Sequence, residues 1–317
     1  MNVAELLRQT KETLFSFELL PPLKGDTIQA IYDTIDPLME FKPSYINVTY
    51  HKEEVVYKQR TDGLLEKRSV RKRPGTVGIT AAIMHKYGIE VVPHLICGGF
   101  SREETENALI DLHFLGIQNL LVLRGDPDKN QRLFIPETDG HEHAIGLLKQ
   151  VIDMNNGIYL DVENNNNART HFVVGVAGYP EKHPEAPNIE NDLHYLKAKV
   201  DAGATYIVTQ LFYDNRYFFD FVKRCREIGI QVPIIPGLKP VSIKNHLNII
   251  PKTFGVDIPE DLSREIQKCK NNDEVRQLGI EWTSAQAREL KAAHVPSIHF
   301  YTMGKSDNIK EIVKRVY

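Results

Sequence analysis

A glutamate interrupts an apolar, strand-like run near the start of the chain. Glu18 lies in the segment 14–20, with the sequence LFSFELL, and prolines follow at positions 21 and 22. Because side chains alternate along a strand, Glu18 shares a face with Leu14 and Ser16, while the other face is wholly apolar. A lone buried carboxylate is costly unless it is paired or protonated. The run alone leaves two interpretations open: a hydrated carboxylate at a strand end, or an acid that acts in catalysis.

Polar or aromatic residues also end most of the other apolar runs. They are found at seven of eight such ends, at Glu18, Thr49-Tyr50, His94, Arg124-Gly125-Asp126, Tyr179-Pro180, Gln210 and Tyr301-Thr302. Strand ends touch water, so a single case is weak evidence. In a parallel barrel, however, the carboxyl ends of the strands together form the active site. The recurrence of such residues therefore predicts a pocket.

The elements that would position these residues alternate along the chain. Apolar runs predict strands at 14–20, 45–50, 89–96, 119–124, 172–177, 206–210, 232–236 and 297–302. Amphipathic stretches predict helices at 27–41, 77–87, 102–115, 144–154, 189–202, 216–228, 243–249, 284–293 and 308–316. Such alternation is typical of α/β proteins. About eight units predict a (β/α)8 TIM barrel with loop and hairpin insertions. No G-x-G-x-x-G follows the first strand, which disfavours an open dinucleotide-binding sheet.

Two segments depart from the alternation. Residues 52–74 are polar and basic, which predicts a solvated surface loop, with phosphate binding as the alternative. Four asparagines at 164–167 follow the β-prone segment 158–162 and predict the turn of an inserted hairpin. We attach no chemistry to the second segment.

Composition narrows the classes of protein. The chain has 317 residues, 42% hydrophobic and 26% charged, with a net charge of −3. This balance argues against a nucleic-acid or anionic-membrane partner. No apolar stretch approaches the roughly 18–20 residues of a membrane span, and the first twelve residues indicate a short amphipathic helix rather than a signal peptide. We therefore expect a cytoplasmic protein with one barrel domain over residues 1–317.

The cysteines and histidines do not indicate a metal centre. Cys97, Cys225 and Cys269 are scattered, without a C-x-x-C pair, as expected for a reducing compartment. His141 and His143 are two residues apart but lack a carboxylate or thiolate pattern beside them, so they are interpreted as loop histidines. No metal is predicted.

A stiff loop follows the fifth predicted strand. Two prolines stiffen the segment 177–186, AGYPEKHPEA, which carries an aromatic ring, an imidazole and carboxylates and so suits a planar ligand. The next helix places Asp192 and Lys199 seven residues apart, hence on one face. An acid for ribose hydroxyls and a base for phosphate would suit a nucleotide-like cofactor. Spacing alone favours the simpler alternative, an exposed charge pair.

At this point the sequence resembles one family, the flavin-dependent 5,10-methylenetetrahydrofolate reductases in their short bacterial form. The matching segments are FSFELLPP (15–22), VTY (48–50), PHL (93–95), LRGD (123–126), AGYPEKHPEA (177–186), KVDAGA (199–204), TQ (209–210), PG (236–237) and HFYT (299–302). They run in the family's order from about residue 12 to the C-terminus. We expect the catalytic barrel only, without the regulatory domain of eukaryotic members.

The resemblance implies an FAD-dependent enzyme of one-carbon metabolism and methionine biosynthesis. It would pass a hydride from NADH or NADPH to methylenetetrahydrofolate by a ping-pong scheme, giving methyltetrahydrofolate. Glu18 resembles the family's proton donor, and Asp126 the residue that tunes the flavin and contacts the folate. The positions that match FAD contacts are Thr49, Tyr50, His94, Arg124, Gly125, Asp126, Tyr179, His183, Ala186, Asp192 and Lys199. Gln210 matches a substrate contact, and Lys305 stands where an arginine would hold the folate tail. A homo-oligomer is expected.

Two other functions remain open from the sequence. Lys239 follows the seventh predicted strand, and a lysine there could form a Schiff base in a barrel aldolase. The chain could also bind flavin or folate without catalysis, but that function gives no reason for an acid at Glu18.

Overall fold

The computed structural model describes residues 1–127, 131, 133–161 and 168–317. Its strands are β1 (Leu14–Leu19), β2 (Tyr45–Val48), β3 (Glu54–Gln59), β4 (Leu65–Val70), β5 (Glu90–Ile96), β6 (Asn119–Leu123), β7 (Val173–Gly178), β8 (Tyr206–Leu211), β9 (Ile234–Leu238) and β10 (Ser297–Tyr301). Its helices are α1 (Val3–Gln9), α2 (Gln29–Met39), α3 (Thr76–Tyr87), α4 (Arg102–Phe114), α5 (Ala144–Asn155), α6 (Ile189–Asp201), α7 (Asn215–Glu227), α8 (His246–Phe254), α9 (Glu260–Lys268), α10 (Asn272–Ala292) and α11 (Asp307–Val316).

Eight parallel strands close into a barrel in the order β1-β10-β9-β8-β7-β6-β5-β2. The predicted (β/α)8 barrel is therefore confirmed, and all eight predicted strands are present with slightly shifted ends. Hydrogen bonding between β1 and β10 closes the barrel, and Glu18 stands opposite Tyr301 in that pairing. The first and last strands consequently bring residues from both ends of the chain to one place.

The two faces of β1 have different environments, as the alternation predicts. Phe15, Phe17 and Leu19 belong to the main apolar core, together with residues of the surrounding helices. Ser16 and Glu18 face the barrel interior, where both lie beside His299. The polar residues of this strand are therefore inside the barrel, and its apolar residues hold the helices.

Helix α1 packs against apolar side chains of the barrel interior. Val3 and Leu7 of this helix pack with inner residues that include Tyr45 and Tyr206. The Val3 amide donates a hydrogen bond of 2.8 Å to Asn119 Oδ1 at the start of β6. This confirms the predicted N-terminal helix, which covers the end of the barrel opposite the carboxyl ends of the strands.

Helix starts follow from local capping chemistry. The Ser101 hydroxyl accepts from the Glu104 amide at the start of α4, and Asn188 accepts from the Asn191 amide at the start of α6. Such caps satisfy amides that the first turn leaves without partners. The cap of α6 matters for the site, because this helix carries Asp192 and Lys199.

The prediction of a surface loop over 52–74 is wrong in part. The segment is mostly exposed, but β3 and β4 pair there as an antiparallel hairpin. At the turn, the Leu64 amide donates to Asp62 Oδ1, and Gly63 has a φ of +83°. β-prone residues such as Val56 and Tyr57, together with an Asp-Gly turn, outweigh the local charge.

Other departures lie in the second half of the chain. No strand occurs in 158–161 or 168–172, and the predicted asparagine turn at 164–167 lies outside the described residues. The helix predicted at 243–249 begins later, as α8, and that at 284–293 is the end of the longer α10. Helix α9 was not predicted. Among the described residues, no helix is long and apolar enough to cross a membrane.

Candidate active site

Glu18, Tyr301 and Lys239 form one inward-facing row near the carboxyl ends of three neighbouring strands. Glu18 stands opposite Tyr301, and Phe300 stands opposite Leu238, which places Lys239 at the level of Tyr301. Glu18 is only 8% exposed and Lys239 only 9% exposed. The structure therefore does not place Glu18 at a hydrated strand end. It holds the carboxyl group inside the mouth of the barrel.

His299 lies beside Glu18 and is itself held by Ser16. The Nε2 atom of His299 is 3.8 Å from Glu18 Oε2, and its Nδ1 atom is 2.9 Å from Ser16 Oγ. The Thr302 hydroxyl donates a 2.7 Å hydrogen bond to the Glu18 carbonyl oxygen. Sequence reasoning missed His299 and Ser16 as site residues, although the alternation of β1 places Ser16 on the face of Glu18.

Several buried polar atoms of the barrel interior have no hydrogen-bond partner among the described residues. They include both amide atoms of Asn47 and the Nε2 atoms of His94 and His299. Unpaired buried polar atoms are costly and uncommon in folded proteins. Burial also lowers the pKa of His94 to about 4, more than the nearby Glu18 raises it, so this imidazole is neutral near pH 7. These atoms are available to a ligand.

Both predicted catalytic carboxylates, Glu18 and Asp126, influence the pKa of His51. Burial and the charge of Arg73 lower the pKa of His51, while Glu18 and Asp126 raise it. The imidazole thus lies within electrostatic range of both acids, and its Nε2 atom is 3.3 Å from Thr49 Oγ1. No sequence pattern selected His51. Both Glu18, from β1, and Asp126, after β6, lie within electrostatic range of this imidazole.

Arg124 is engaged by a carboxylate of the loop after β7. Its two terminal nitrogens donate to the two oxygens of Glu185 at 2.6 and 2.7 Å, and its guanidinium lies 5.3 Å from the ring centre of Phe134. The hydrogen bonds to Arg124 hold the pKa of Glu185 below its usual range. The predicted cofactor cation is therefore positioned by an ion pair that sequence reasoning did not find.

Gly125 and Asp126 continue the chain beyond β6. Gly125 has a φ of +87°, and an added Cβ there would lie 3.2 Å from the Ile96 side chain. A glycine is required by this conformation. Asp126 is exposed. The backbone turn thus presents a carboxylate to the open side of the site.

The loop after β7 brings an aromatic pair next to α6. The rings of Tyr179 and His183 meet edge to face, with centres 4.7 Å apart. The His183 amide donates to Asp192 Oδ2 at 2.8 Å, which fixes the loop to the helix. Lys199 donates to the Ala177 carbonyl oxygen at 2.9 Å, and burial lowers its pKa to about 8. Asp192 and Lys199 are therefore part of the site's framework rather than an exposed charge pair.

The remaining predicted positions lie around these groups. Thr49 donates to the Leu19 carbonyl oxygen at 3.1 Å, and the Ala186 carbonyl oxygen accepts from Lys182 Nζ at 2.7 Å. The Tyr50 ring packs against Phe100 with centres 4.9 Å apart.

Gln210 and Lys305 differ in how closely they belong to the site. Gln210 Oε1 accepts from the Leu211 amide at 2.9 Å, next to an irregularity in the β8–β9 pairing. Lys305 is exposed in the turn after β10, and within the described chain its only hydrogen bond is from its amide to Thr302 O. The structure does not bring Lys305 into contact with the other predicted residues.

Fold and site together define a (β/α)8-barrel protein with a buried acid among imidazoles at the carboxyl ends of the strands, where barrel enzymes have their active sites. The family model described as methylenetetrahydrofolate reductase matches residues 3–317. The chain belongs to the methylenetetrahydrofolate reductase family.

Relatives from plants and bacteria agree with this assignment. The chain is 32% identical over 316 residues to methylenetetrahydrofolate reductase (NADH) 1 of Arabidopsis thaliana, covering 96% of this chain and 48% of the relative. It is 31% identical to 5,10-methylenetetrahydrofolate reductase of Salmonella typhimurium, covering 92% of this chain and 86% of the relative. The chain thus spans about half the length of the plant relative and most of the bacterial one.

A solved structure with a similar fold comes from Clostridium thermocellum. It is an uncharacterized protein described as binding two copies of 5-methyl-5,6,7,8-tetrahydrofolic acid. The TM-score is 0.56 at 13% identity, over 99% of this chain and 98% of that one. At this identity the similarity concerns the fold alone.

Proposed function

We propose that the protein reduces 5,10-methylenetetrahydrofolate to 5-methyltetrahydrofolate, with FAD as the bound cofactor and NADH or NADPH as the electron donor. The observation that carries the proposal is the buried Glu18 among unpartnered polar atoms, in a chain of the reductase family. A single catalytic domain over residues 1–317 and a homo-oligomeric state remain predictions.

The residues present fit an FAD. Gly125 has a φ of +87° that favours glycine and carries no side chain that could shield its backbone, and the His94 imidazole keeps an unpartnered nitrogen. The residues that would hold the cofactor are Thr49, Tyr50, His94, Arg124, Gly125, Asp126, Tyr179, His183, Ala186, Asp192 and Lys199. Among them, Arg124 and Lys199 would supply cations for a diphosphate through the donors that Glu185 and the Ala177 carbonyl oxygen leave open. Asp192 would offer its other oxygen to ribose hydroxyls. When bound, the flavin would supply hydride transfer between nicotinamide and folate.

Glu18 would donate the proton that the folate needs. Opening the five-membered ring that carries the one-carbon unit requires protonation at nitrogen, which leaves an iminium carbon able to accept hydride. A positioned general acid typically contributes ~10²–10⁴ in rate. The neighbouring His299 and the hydrogen bond from Thr302 to the Glu18 backbone would keep the acid in place.

Asp126 and Gln210 would contact the folate from other strands. A carboxylate close to the cofactor opposes accumulation of negative charge on it, which favours transfer of hydride onward. Asp126 and Glu18 both act electrostatically on His51, which supports a ligand position between the ends of β1 and β6. Lys305 would approach the folate tail only from the exposed turn after β10.

The proposal is tested by separating the two half-reactions under anaerobic conditions. NADH is added to the purified protein, and the flavin absorbance should fall. Methylenetetrahydrofolate should then restore it, with formation of methyltetrahydrofolate. If the protein binds flavin but NADH does not reduce that flavin, the non-catalytic alternative is supported. A colourless protein that is trapped by borohydride with a carbonyl substrate would support the aldolase.

A further inference from the structure

Lys239 is a buried cation of the inner row to which the proposed mechanism gives no role. Strand β9 ends one residue before it, and Pro240 follows it. Ile235 belongs to the inner apolar cluster, and a side chain at Gly237 would collide with Tyr301. Because alternate residues share a face, Lys239 is the next inward position.

The ammonium group of Lys239 lacks a protein partner. The residue is only 9% exposed, and no side-chain hydrogen bond or ion pair joins its Nζ atom to a described residue. The Nζ atom is not among the fully buried atoms without a partner, so it reaches the open space of the site. An ammonium group carries three donors, which a molecule that fills this space must satisfy. Two titratable groups face it, Glu18 and His246. Burial and the charge of Lys239 lower the pKa of His246 to about 4. A neutral imidazole gives no compensating negative charge.

Glu18 is close to Lys239 but does not neutralise it by contact. The two residues lie on either side of Tyr301 in the row, on strands one removed from each other. Neighbouring strands are about 4.8 Å apart, so their backbones are separated by roughly 10 Å. The Tyr301 side chain between them extends across Gly237, and its hydroxyl donates to the Thr209 carbonyl oxygen, so a flat molecule held by the two residues would lie over this ring. The acid and the cation thus flank one space.

We propose that Lys239 binds the folate substrate, donating a hydrogen bond to a carbonyl oxygen of its heterocycle while Glu18 faces the nitrogen that is protonated. This rests on the proposed function and adds a substrate-binding residue to it. Binding satisfies the ammonium group and orients the ring toward the acid. The lysine acts as a hydrogen-bond donor and not as a nucleophile. Burial lowers the pKa of Lys239 more than Glu18 raises it, so the test includes borohydride trapping, which detects imine formation by a neutral amine.

The test compares Lys239→Met with Lys252→Met, which removes an exposed lysine of α8. Binding of 5-methyltetrahydrofolate is measured by equilibrium dialysis, and the rate of flavin reduction by NADH is measured separately. Loss of a charged hydrogen bond should raise the Kd of Lys239→Met about tenfold to a hundredfold. The NADH half-reaction should be unchanged, and Lys252→Met should resemble the wild type. Lys239→Gln, which keeps a donor without the charge, should recover part of the affinity.

Several results would overturn the inference. They are an unchanged Kd in both Lys239 variants, a loss confined to the NADH half-reaction, or a borohydride-stable adduct on Lys239. Absence of folate binding by the wild type would overturn it as well. A wild type that binds methyltetrahydrofolate without turnover would contradict the proposed function alone, while an active reductase with unchanged affinity in the variants would contradict only the role of Lys239.

Discussion

The Nε2 atom of His299 lies 3.8 Å from the Oε2 atom of Glu18 inside the barrel. Both residues are buried, and Ser16 holds the opposite nitrogen of the same imidazole at 2.9 Å. Because the three residues come from the paired strands β1 and β10, the closure of the barrel sets their geometry. Although its Nε2 atom makes no hydrogen bond to the carboxyl group, the fixed imidazole limits where that group can move, and we infer that His299 positions the acid.

Replacing His299 should therefore damage one half-reaction. His299→Ala should slow folate reduction by about a hundredfold, because a misplaced acid loses its alignment with the substrate. Flavin reduction by NADH should remain near the wild-type rate in stopped-flow measurements. His299→Gln, which restores a polar group of similar reach, should recover part of the folate rate. Equal losses in both half-reactions would indicate a purely structural role.

Asp126→Asn should weaken folate binding and slow folate reduction. The substitution keeps the shape of the side chain but removes the charge that is expected to face folate and flavin. A rapid-reaction assay of the folate half-reaction and the Kd of methyltetrahydrofolate would measure both effects. The control is Asp261→Asn, which removes an exposed charge from α9. An unchanged folate half-reaction in Asp126→Asn would exclude the residue from the mechanism.

Burial of His94 should make the protein less stable in acid. Its pKa falls from an ordinary value of 6.5 to about 4 on folding. Between these values the unfolded chain binds more protons than the folded one, so stability is lost as the pH falls through this window. The free energy of unfolding should fall by on the order of 3 kcal/mol across this window.

Urea unfolding at pH 6.5 and 4.5 measures this contribution. His246 titrates in the same window, so the informative quantity is the difference between the wild type and His94→Gln. The variant should lose less stability on acidification. An identical loss in both proteins would contradict the assignment of a neutral, buried His94.

Gly125→Ala should destabilise the protein by about 1–2 kcal/mol. A side chain at a φ of +87° is strained, and the new Cβ would press against Ile96. Gly78→Ala is the matched control, since it lies inside α3 with no atom near its added Cβ. It should stabilise by about 0.5–1 kcal/mol. Thermal unfolding distinguishes the two, and flavin retention should fall only in Gly125→Ala. A Gly125→Ala protein as stable as the wild type would show that the turn tolerates a side chain.

Much of the fold could be predicted because its signals are local. The alternation in β1 correctly separated the face of Phe15, Phe17 and Leu19 from that of Glu18, and the structure places the first in the outer core and the second in the barrel interior. Helix α9 was missed because it is short and mostly charged, with Leu262 and Ile266 as its buried residues.

The surroundings of Glu18 could not be predicted in the same way. Ser16 and His299 are 283 positions apart, and no local pattern indicates that their strands are neighbours. No local pattern predicts that Arg124 pairs with Glu185. Nor does one predict that the strand register places Glu18 and Lys239 at the same height in the barrel. Sequence patterns indicate which face a side chain occupies. The closed barrel decides which side chains meet.

Glu18→Gln tests the role of Glu18 as proton donor most directly when the two half-reactions are measured separately. The amide has nearly the shape of the acid but cannot donate the proton that opens the folate ring. We expect NADH to reduce the flavin at nearly the wild-type rate, and methylenetetrahydrofolate to fail to reoxidise it. Wild-type reoxidation, or comparable losses in both half-reactions, would contradict the assignment of Glu18 as the proton donor.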